Sequence, residues 1–198
     1  DRLPIIFLGT RVEGDKYNYI VIDNIKGGEM ITEYLISLGH RKIAFIGGMQ
    51  GSSTFVDRVS GYKNALKKHN IEIDEKMIFT SGYRKKDGSN TLRAMVKESN
   101  MPTAIFAISD LVALGVIEAA EEMGLSIPDD ISLVGFDDIP YASLPKIRLT
   151  TVSQPKDNIG RESVRILLEK LESKDIHTGL QRIVQPELVI RSTCKSIL

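Results

Sequence analysis

Short apolar runs alternate along the chain with longer segments whose apolar residues recur at helical spacing. The short runs are rich in β-branched residues, and several are apolar at consecutive positions, which is typical of strands buried on both faces. They lie at 5–8, 19–22, 42–46, 104–108 and 131–136, with a weaker one at 77–79. This alternation predicts an α/β fold with a doubly wound parallel sheet.

Four segments are predicted to be helical: 25–38, 54–69, 110–123 and 156–172. In the third of them, Leu111, Leu114 and Ile117 are expected to form the buried face, opposite an edge rich in glutamate. The alternation of predicted strands and helices is interrupted from 139 to 155. A long irregular piece in a regular α/β chain indicates a functional loop or a crossing between lobes.

Composition indicates an ordinary globular domain of 198 residues, with 26 basic and 26 acidic side chains. The zero formal charge makes the chain a poor candidate for binding nucleic acid by itself, since DNA-binding domains usually carry a basic excess. No apolar run approaches the roughly 20 residues that span a bilayer. A single cysteine, Cys194, excludes an internal disulfide and a cysteine-based zinc site. We therefore expect a soluble, cytoplasmic domain without membrane contact.

Doubly wound sheets bind ligands beyond the carboxyl ends of their strands, and polar residues follow several predicted strands. Arg58 could hold two hydroxyls or a carboxylate, or could be a solvated surface arginine. Ser109 and Asp110 could contact a ligand, although an N-cap role is expected first for Asp110. Asp137 and Asp138 could accept hydrogen bonds from sugar hydroxyls or could simply form a turn. Because adjacent side chains point apart, at most one of these two faces a given pocket.

The sequence indicates no catalytic centre, metal site or cofactor. The glycine-rich turn at 47–53 matches neither of the common nucleotide-binding glycine motifs. The three histidines are scattered without metal-ligand spacing, and no set of nucleophile and base is recognisable. We therefore expect a binding protein rather than an enzyme.

Three segments, in this order and at these spacings, resemble the lactose-repressor/galactose-repressor (LacI/GalR) family of transcriptional regulators. The first covers 23–48 with LGHRKIAFIGG at its end, and continues at 58–66 as RVSGYKNAL. The second covers 102–115 and includes AISDLVALG. The third covers 127–138 as IPDDISLVGFDD and continues at 149–155 as LTTVSQP. Together they span essentially the whole chain.

The resemblance implies a type I periplasmic-binding-protein-like fold, in which a small-molecule effector, a sugar or sugar derivative, lies between two lobes. Arg58 and Asp137 match the effector-binding arginine and aspartate of the family. Tyr83 falls in the loop that often supplies an aromatic wall, and Gln154 lies at the returning crossover. The complete set of implied effector-binding residues is Arg58, Asp137, Ser109, Asp110, Tyr83 and Gln154.

The resemblance also implies that mostly the C-terminal lobe is present. Residues 1–22 and 153–178 are expected to be a remnant of the N-terminal lobe, and residues 23–152 and 179–198 to form the C-terminal lobe. Members of the family begin with a helix-turn-helix, which is missing from this chain. Contact with a DNA operator is therefore implied for the parent protein only.

Self-association is a further expectation. The helix at 110–123 and the loop at 141–145 both carry apolar residues, and in the family such surfaces help to form a two-fold dimer. The expected interface residues are Leu114, Ile117, Tyr141 and Leu144. The alternative is that the helix simply packs on its own sheet.

Two other classes share this fold. A periplasmic sugar-binding protein would carry the same arginine and carboxylates, and the upstream reading frame would separate it by a signal sequence instead of a helix-turn-helix. A nucleotide-dependent α/β enzyme is the more remote alternative because no phosphate-binding loop is recognisable. Turnover of any nucleotide would support it.

Overall fold

A computed structural model describes residues 3–12, 14–98, 100–173 and 179–198. Its elements, in chain order, are β1 (Ile6–Leu8), β2 (Asn18–Ile22), α1 (Asn24–Ser37), β3 (Ile43–Ile46), α2 (Ser53–Lys68), a 3-10 turn (Glu75–Met77), β4 (Ile78–Phe79), α3 (Lys85–Lys97), β5 (Ala104–Ala107), α4 (Asp110–Glu122), β6 (Ser132–Val134), a second 3-10 turn (Pro140–Ser143), β7 (Thr151–Ser153), α5 (Lys156–Ser173), β8 (Gln181–Val184) and β9 (Glu187–Val189).

The larger sheet is parallel, with strand order β4-β3-β5-β6. Its central strands β3 and β5 are buried along their whole length, which confirms the doubly wound α/β fold that their continuous apolar runs predict. Helix α1 packs against α2, and α3 packs against α4. With right-handed crossovers, this order places α2 on one face and α3 and α4 on the other. The strand order reverses between β3 and β5, where such sheets bind ligands.

A smaller parallel sheet has the order β1-β2-β8. The assignment of all of 179–198 to the larger lobe is therefore wrong for Gln181–Val184, which pairs with Asn18–Ile22. The backbone groups of buried β2 need partners on both sides, and the chain leaving α5 supplies one of them. Residues 1, 2, 13 and 174–178 of the expected smaller unit lie outside the described residues.

The crossover segment, residues 139–155, is more regular than its sequence indicates. It contains the second 3-10 turn and strand β7, which pairs antiparallel with β9. Bridges between Val134 and Thr150, and between Asp137 and Ser153, attach it to the edge of the larger sheet. The crossover is thus fixed to the strand that precedes the two aspartates.

Helix α3 was not among the predicted helices. It begins in a charged stretch and contains Gly88, so its local sequence favours a helix only weakly. The Asp87 carboxylate accepts a hydrogen bond from the Arg84 amide, which satisfies one free N–H at the helix start. Burial of Leu92 and Met95 then stabilises the helix through tertiary packing.

The predicted buried face of α4 is wrong. The helix turns Val112, Val116 and a series of alanines toward the sheet, while Leu111 is exposed and Leu114 is only half-buried. Small and β-branched side chains allow the helix to approach the sheet closely, which leaves the larger leucines at the outer edge. None of the described helices is long and apolar enough to cross a membrane.

Helices α1 and α2 approach closely where glycines face the neighbouring backbone. A Cβ added to Gly61 would lie 2.1 Å from the carbonyl oxygen of Ile25, and one added to Gly28 would lie 2.5 Å from that of Arg58. The close approach brings the start of α1 next to Arg58. These glycines therefore help to position the candidate site.

Replacing Gly61 with alanine should destabilise the chain by about 1–3 kcal/mol, because the added methyl must push the two helices apart. Gly160→Ala is the matched control, since Gly160 lies on α5 with nothing within 4 Å of an added Cβ. That variant should gain roughly 0.4–1 kcal/mol. Urea unfolding of both variants measures the difference, and equal free energies would contradict the packing argument.

Candidate functional site

Arg58 is a buried cation at the carboxyl ends of the central strands. Its Nε donates to the Asn24 side-chain oxygen at 2.8 Å, and one terminal nitrogen donates to the Ile108 carbonyl just beyond β5. The guanidinium stacks on Phe136, with 3.4 Å from Cζ to the ring centroid. Stacking and directed hydrogen bonds compensate for lost hydration and fix the plane of the group. The alternative of a solvated surface arginine is wrong.

Asp137 faces Arg58 from the loop after β6. Its Oδ1 accepts from the Gln154 amide at 2.7 Å and lies 3.5 Å from an Arg58 terminal nitrogen. Burial raises the pKa of the Asp137 carboxyl above its ordinary value, and Arg58 only partly offsets this. The structure therefore brings three predicted residues together, here called the Arg58 cluster: Arg58, Asp137 and Gln154.

Asp138 has different partners from its neighbour. Its carboxylate pairs with Arg191 at 2.7 Å, and its carbonyl accepts from Lys156 at 2.8 Å. The two adjacent carboxylates thus contact separate sets of side chains, although the chain is not extended here, since both residues have positive φ. Asp138 therefore hydrogen-bonds to Lys156 and Arg191, and to no residue of the Arg58 cluster.

Tyr83 lies in the loop after β4 and hydrogen-bonds through its hydroxyl to Ser52. Ser52 caps α2, since its hydroxyl accepts from the Phe55 amide at 3.1 Å. Reciprocal backbone bonds between Gly48 and Gly82, at 2.6 and 2.8 Å, join the loops after β3 and β4. The half-buried ring of Tyr83 is thereby held against the start of α2.

Ser109 takes the helix-capping role that was expected first for Asp110. Ser109 is the N-cap of α4, and its hydroxyl lies 3.4 Å from the Val112 amide, so an N-cap role for Asp110 is wrong. Asp110 is 0% exposed, and both carboxylate oxygens already accept hydrogen bonds, from Ile139 and Thr151. Its position behind the loop of Asp137 does not favour direct contact with an effector.

Three residues near the cluster were not predicted as site residues: Asn24, Phe136 and Ser52. Asn24 lies at the start of α1, and Phe136 was expected only as the end of an apolar strand. A buried arginine requires hydrogen-bond acceptors and a flat apolar surface on which to stack. This requirement is the signal that could have identified Asn24 and Phe136. Within the described residues, no three histidine, cysteine, aspartate or glutamate side chains form a group suited to a metal ion.

Comparison with known families agrees with this arrangement. The model of the periplasmic binding protein-like domain family matches residues 32–194, which include Arg58, Asp137 and Gln154. The chain belongs to this family. The match covers most of the chain and includes both ends of the crossover segment.

Similar proteins are transcriptional regulators, which confirms the resemblance to the LacI/GalR family. The repressor PurR of Vibrio atlanticus (strain LGP32) is 35% identical over 98% of this chain and 58% of that protein. A LacI family regulator from Enterococcus faecium with bound ribose is 25% identical, with a TM-score of 0.89 over 98% of this chain and 72% of that one. The CelR–cellobiose complex is 30% identical, with a TM-score of 0.87 over 95% and 58%. The chain thus spans about 58% of the length of the curated PurR relative.

Stability should depend on pH through Asp110. Burial raises the pKa of its carboxyl to about 7. The native state therefore binds this proton more tightly than the unfolded chain, so the free energy of unfolding falls as pH rises through about 4 to 7. Between pH 5 and 7 the contribution should fall by on the order of 1 kcal/mol per pH unit, as measured by urea unfolding.

Asp110→Asn removes the titrating group and should flatten this slope. Burial lowers the pKa of His40, and this group is present in both proteins. The difference between the two profiles therefore reports Asp110 together with its charge interaction with Asp137. Parallel profiles for wild type and Asp110→Asn would contradict the assignment.

Proposed function

We propose that this chain is the effector-binding region of a LacI-type transcriptional regulator that holds a sugar or related polyhydroxylated molecule. The observation that carries the proposal is the Arg58–Asp137–Gln154 cluster at the point where the strand order reverses. No catalysis is proposed, because the cluster contains no nucleophile with an adjacent base. As part of a regulator of transcription, the chain would act in the cytoplasm.

The chemistry of the cluster suits hydroxyl groups. Asp137 uses one oxygen for Gln154 and Arg58, so its second oxygen, for which the structure shows no hydrogen bond, can accept from a ligand hydroxyl. The ring of Tyr83 offers an apolar face, and Ser109 stands beside Ile108, whose carbonyl binds Arg58. The ribose and cellobiose in similar regulators belong to the same chemical class.

Two contacts support an effector whose binding changes the position of the larger sheet relative to the smaller one. Gln154 lies in the crossover segment and directly contacts Asp137. Arg11, in the loop after β1, forms an ion pair with Asp57, the residue next to Arg58. A ligand at Asp137 would therefore touch the crossover segment at Gln154 and lie close to the Arg11–Asp57 ion pair. Transmission to an operator would require a helix-turn-helix outside this chain.

We also propose a homodimer formed through a groove beside α4, here called the α4 groove. Tyr141 is 62% exposed, and Leu144, near it in sequence, is also exposed. The apolar residues lining the groove include Leu111, Leu114, Ile117, Ile139, Tyr141 and Ile147. A contiguous apolar surface of this kind marks an interaction site, and a two-fold axis would let one patch cover its own copy.

Effector binding is tested first by a thermal-shift screen of ribose, cellobiose, sugar phosphates and nucleobases. A ligand at a hundredfold excess over its dissociation constant stabilises the native state by about 2.7 kcal/mol. A consistent absence of stabilisation by sugars and sugar phosphates would overturn the proposed effector class.

Asp137→Asn should then weaken binding of the compound identified by the screen at least tenfold, because a hydrogen bond to a charged acceptor contributes roughly 1.5–3 kcal/mol. Asp138→Asn is the matched control, since its carboxylate pairs with Arg191 outside the cluster. Titration calorimetry measures both affinities. Equal losses in the two variants would show that the cluster is not the binding site.

The dimer is tested by light scattering at micromolar concentration, where wild type should have twice the monomer mass. Tyr141→Asp should shift the chain to monomer, because two-fold symmetry places the added charge on both sides of an apolar contact. Val96→Asp, an exposed apolar position on α3 that does not line the α4 groove, should leave the dimer intact. A monomeric wild type would rule the interface out.

A further inference from the structure

Asp110 contacts the loop of Asp137 at two points. Its main-chain N–H donates to the Phe136 carbonyl at 2.7 Å, and its Oδ2 accepts from the Ile139 amide at 2.8 Å. These contacts lie immediately before and after the two adjacent aspartates. The loop is therefore held at both ends by a single residue at the first position of α4.

The loop needs such support because of its backbone conformation. Asp137 has φ +113° and Asp138 has φ +47°, so two consecutive residues with side chains occupy the region that favours glycine. Such conformations persist only where the surrounding contacts over-determine them. The hydrogen bonds that join Asp110 to the main chain of Phe136 and Ile139 are contacts of this kind.

The other carboxylate oxygen of Asp110 reaches the crossover segment. Oδ1 accepts a hydrogen bond from the buried hydroxyl of Thr151, at the start of β7. Gln154 follows three residues later and donates to Asp137. One carboxylate thus fixes both Asp137 and the strand that carries its hydrogen-bond partner.

The neighbourhood leaves room for the Asp110 carboxylate and surrounds it with charges of both signs. A Cβ on Gly135 would lie 2.2 Å from Oδ1 of Asp110, so the strand end must be glycine for the carboxylate to fit. The charged groups that act on Asp110 are the carboxylates of Asp137 and Asp138 and the guanidinium of Arg58. Hydrogen bonds from Ile139 and Thr151 favour its ionised form.

We propose that Asp110 is a positioning residue, which orients the Asp137 carboxylate toward the effector by pinning residues 136–139 and coupling them to β7. The role rests on the proposed function, because it presumes that Asp137 contacts the effector. Asp110 itself touches no ligand. Its contribution is to hold the loop conformation and to transmit displacement of the loop to the crossover segment.

Hydrogen–deuterium exchange of the whole chain, followed by mass spectrometry at pH 8, tests the positioning role without a ligand. Asp110→Asn keeps the shape of the side chain but cannot accept from both donors. Exchange of residues 136–142 should accelerate about tenfold or more, because a hydrogen bond to a charged acceptor is lost. Exchange of β3 should stay unchanged. Uniform acceleration along the chain, or none at 136–142, would overturn the proposal.

Asp130→Asn is the matched control, since the Asp130 carboxylate also accepts from a main-chain amide, that of Ser126 at 2.7 Å. It should leave exchange at 136–142 as in wild type. Thr151→Val removes the hydroxyl and should accelerate exchange there, whereas Thr151→Ser keeps it and should restore protection. Identical behaviour of the valine and serine variants would exclude the coupling to β7.

Thermal shifts with ribose and with cellobiose complete the test. Stabilisation by the sugar that binds should be lost in Asp110→Asn and kept in Asp130→Asn. Retained stabilisation in Asp110→Asn would overturn the positioning role. If neither sugar stabilises wild type, the expectation for these two effectors fails, while the exchange comparison still decides the role of Asp110.

Discussion

The burial of one cation, Arg58, determines how the rest of the site is arranged. A guanidinium removed from water must find acceptors and opposing charge, or its burial would cost several kcal/mol. Here the acceptors come from α1 and from the end of β5, the stacking surface from Phe136 and the charge from Asp137. Elements that are distant in sequence therefore meet at this one side chain, and the close approach of α1 and α2 is required to bring Asn24 within reach.

The sequence predicts the larger sheet well because its signal is local. Continuous apolar runs predict strands buried on both faces, and β3 and β5 have that environment. Pairing between distant segments has no such local signal, so β8 was assigned to the wrong sheet. Helix α3 was missed because its stability comes from burying Leu92 and Met95 rather than from propensity. The face of α4 was misjudged because close packing favours its small residues over its leucines.

The sequence predicts which polar residues could form the site, but it does not predict how deeply each side chain is buried. Position after a predicted strand and a polar side chain selected Arg58 and Asp137, the family resemblance added Gln154, and the structure brings the three together. The same criteria also selected Asp110, which lies fully buried behind the loop. Whether a carboxylate after a strand faces the cleft or the interior depends on what packs above it, here the crossover segment. That information resides in contacts between segments some 40 residues apart.

The contact between Tyr83 and Ser52 has a consequence for how ligand preference can diverge among related regulators. These two side chains belong to loops that are joined by the glycine bridges, and neither donates to nor accepts from Arg58 or Asp137. In the proposed effector site, exchange of the tyrosine for another residue would change the shape and polarity offered to a ligand without removing a hydrogen-bond partner of the buried cation. One scaffold can therefore acquire a new chemical specificity by substitution at its periphery, at little cost to folding.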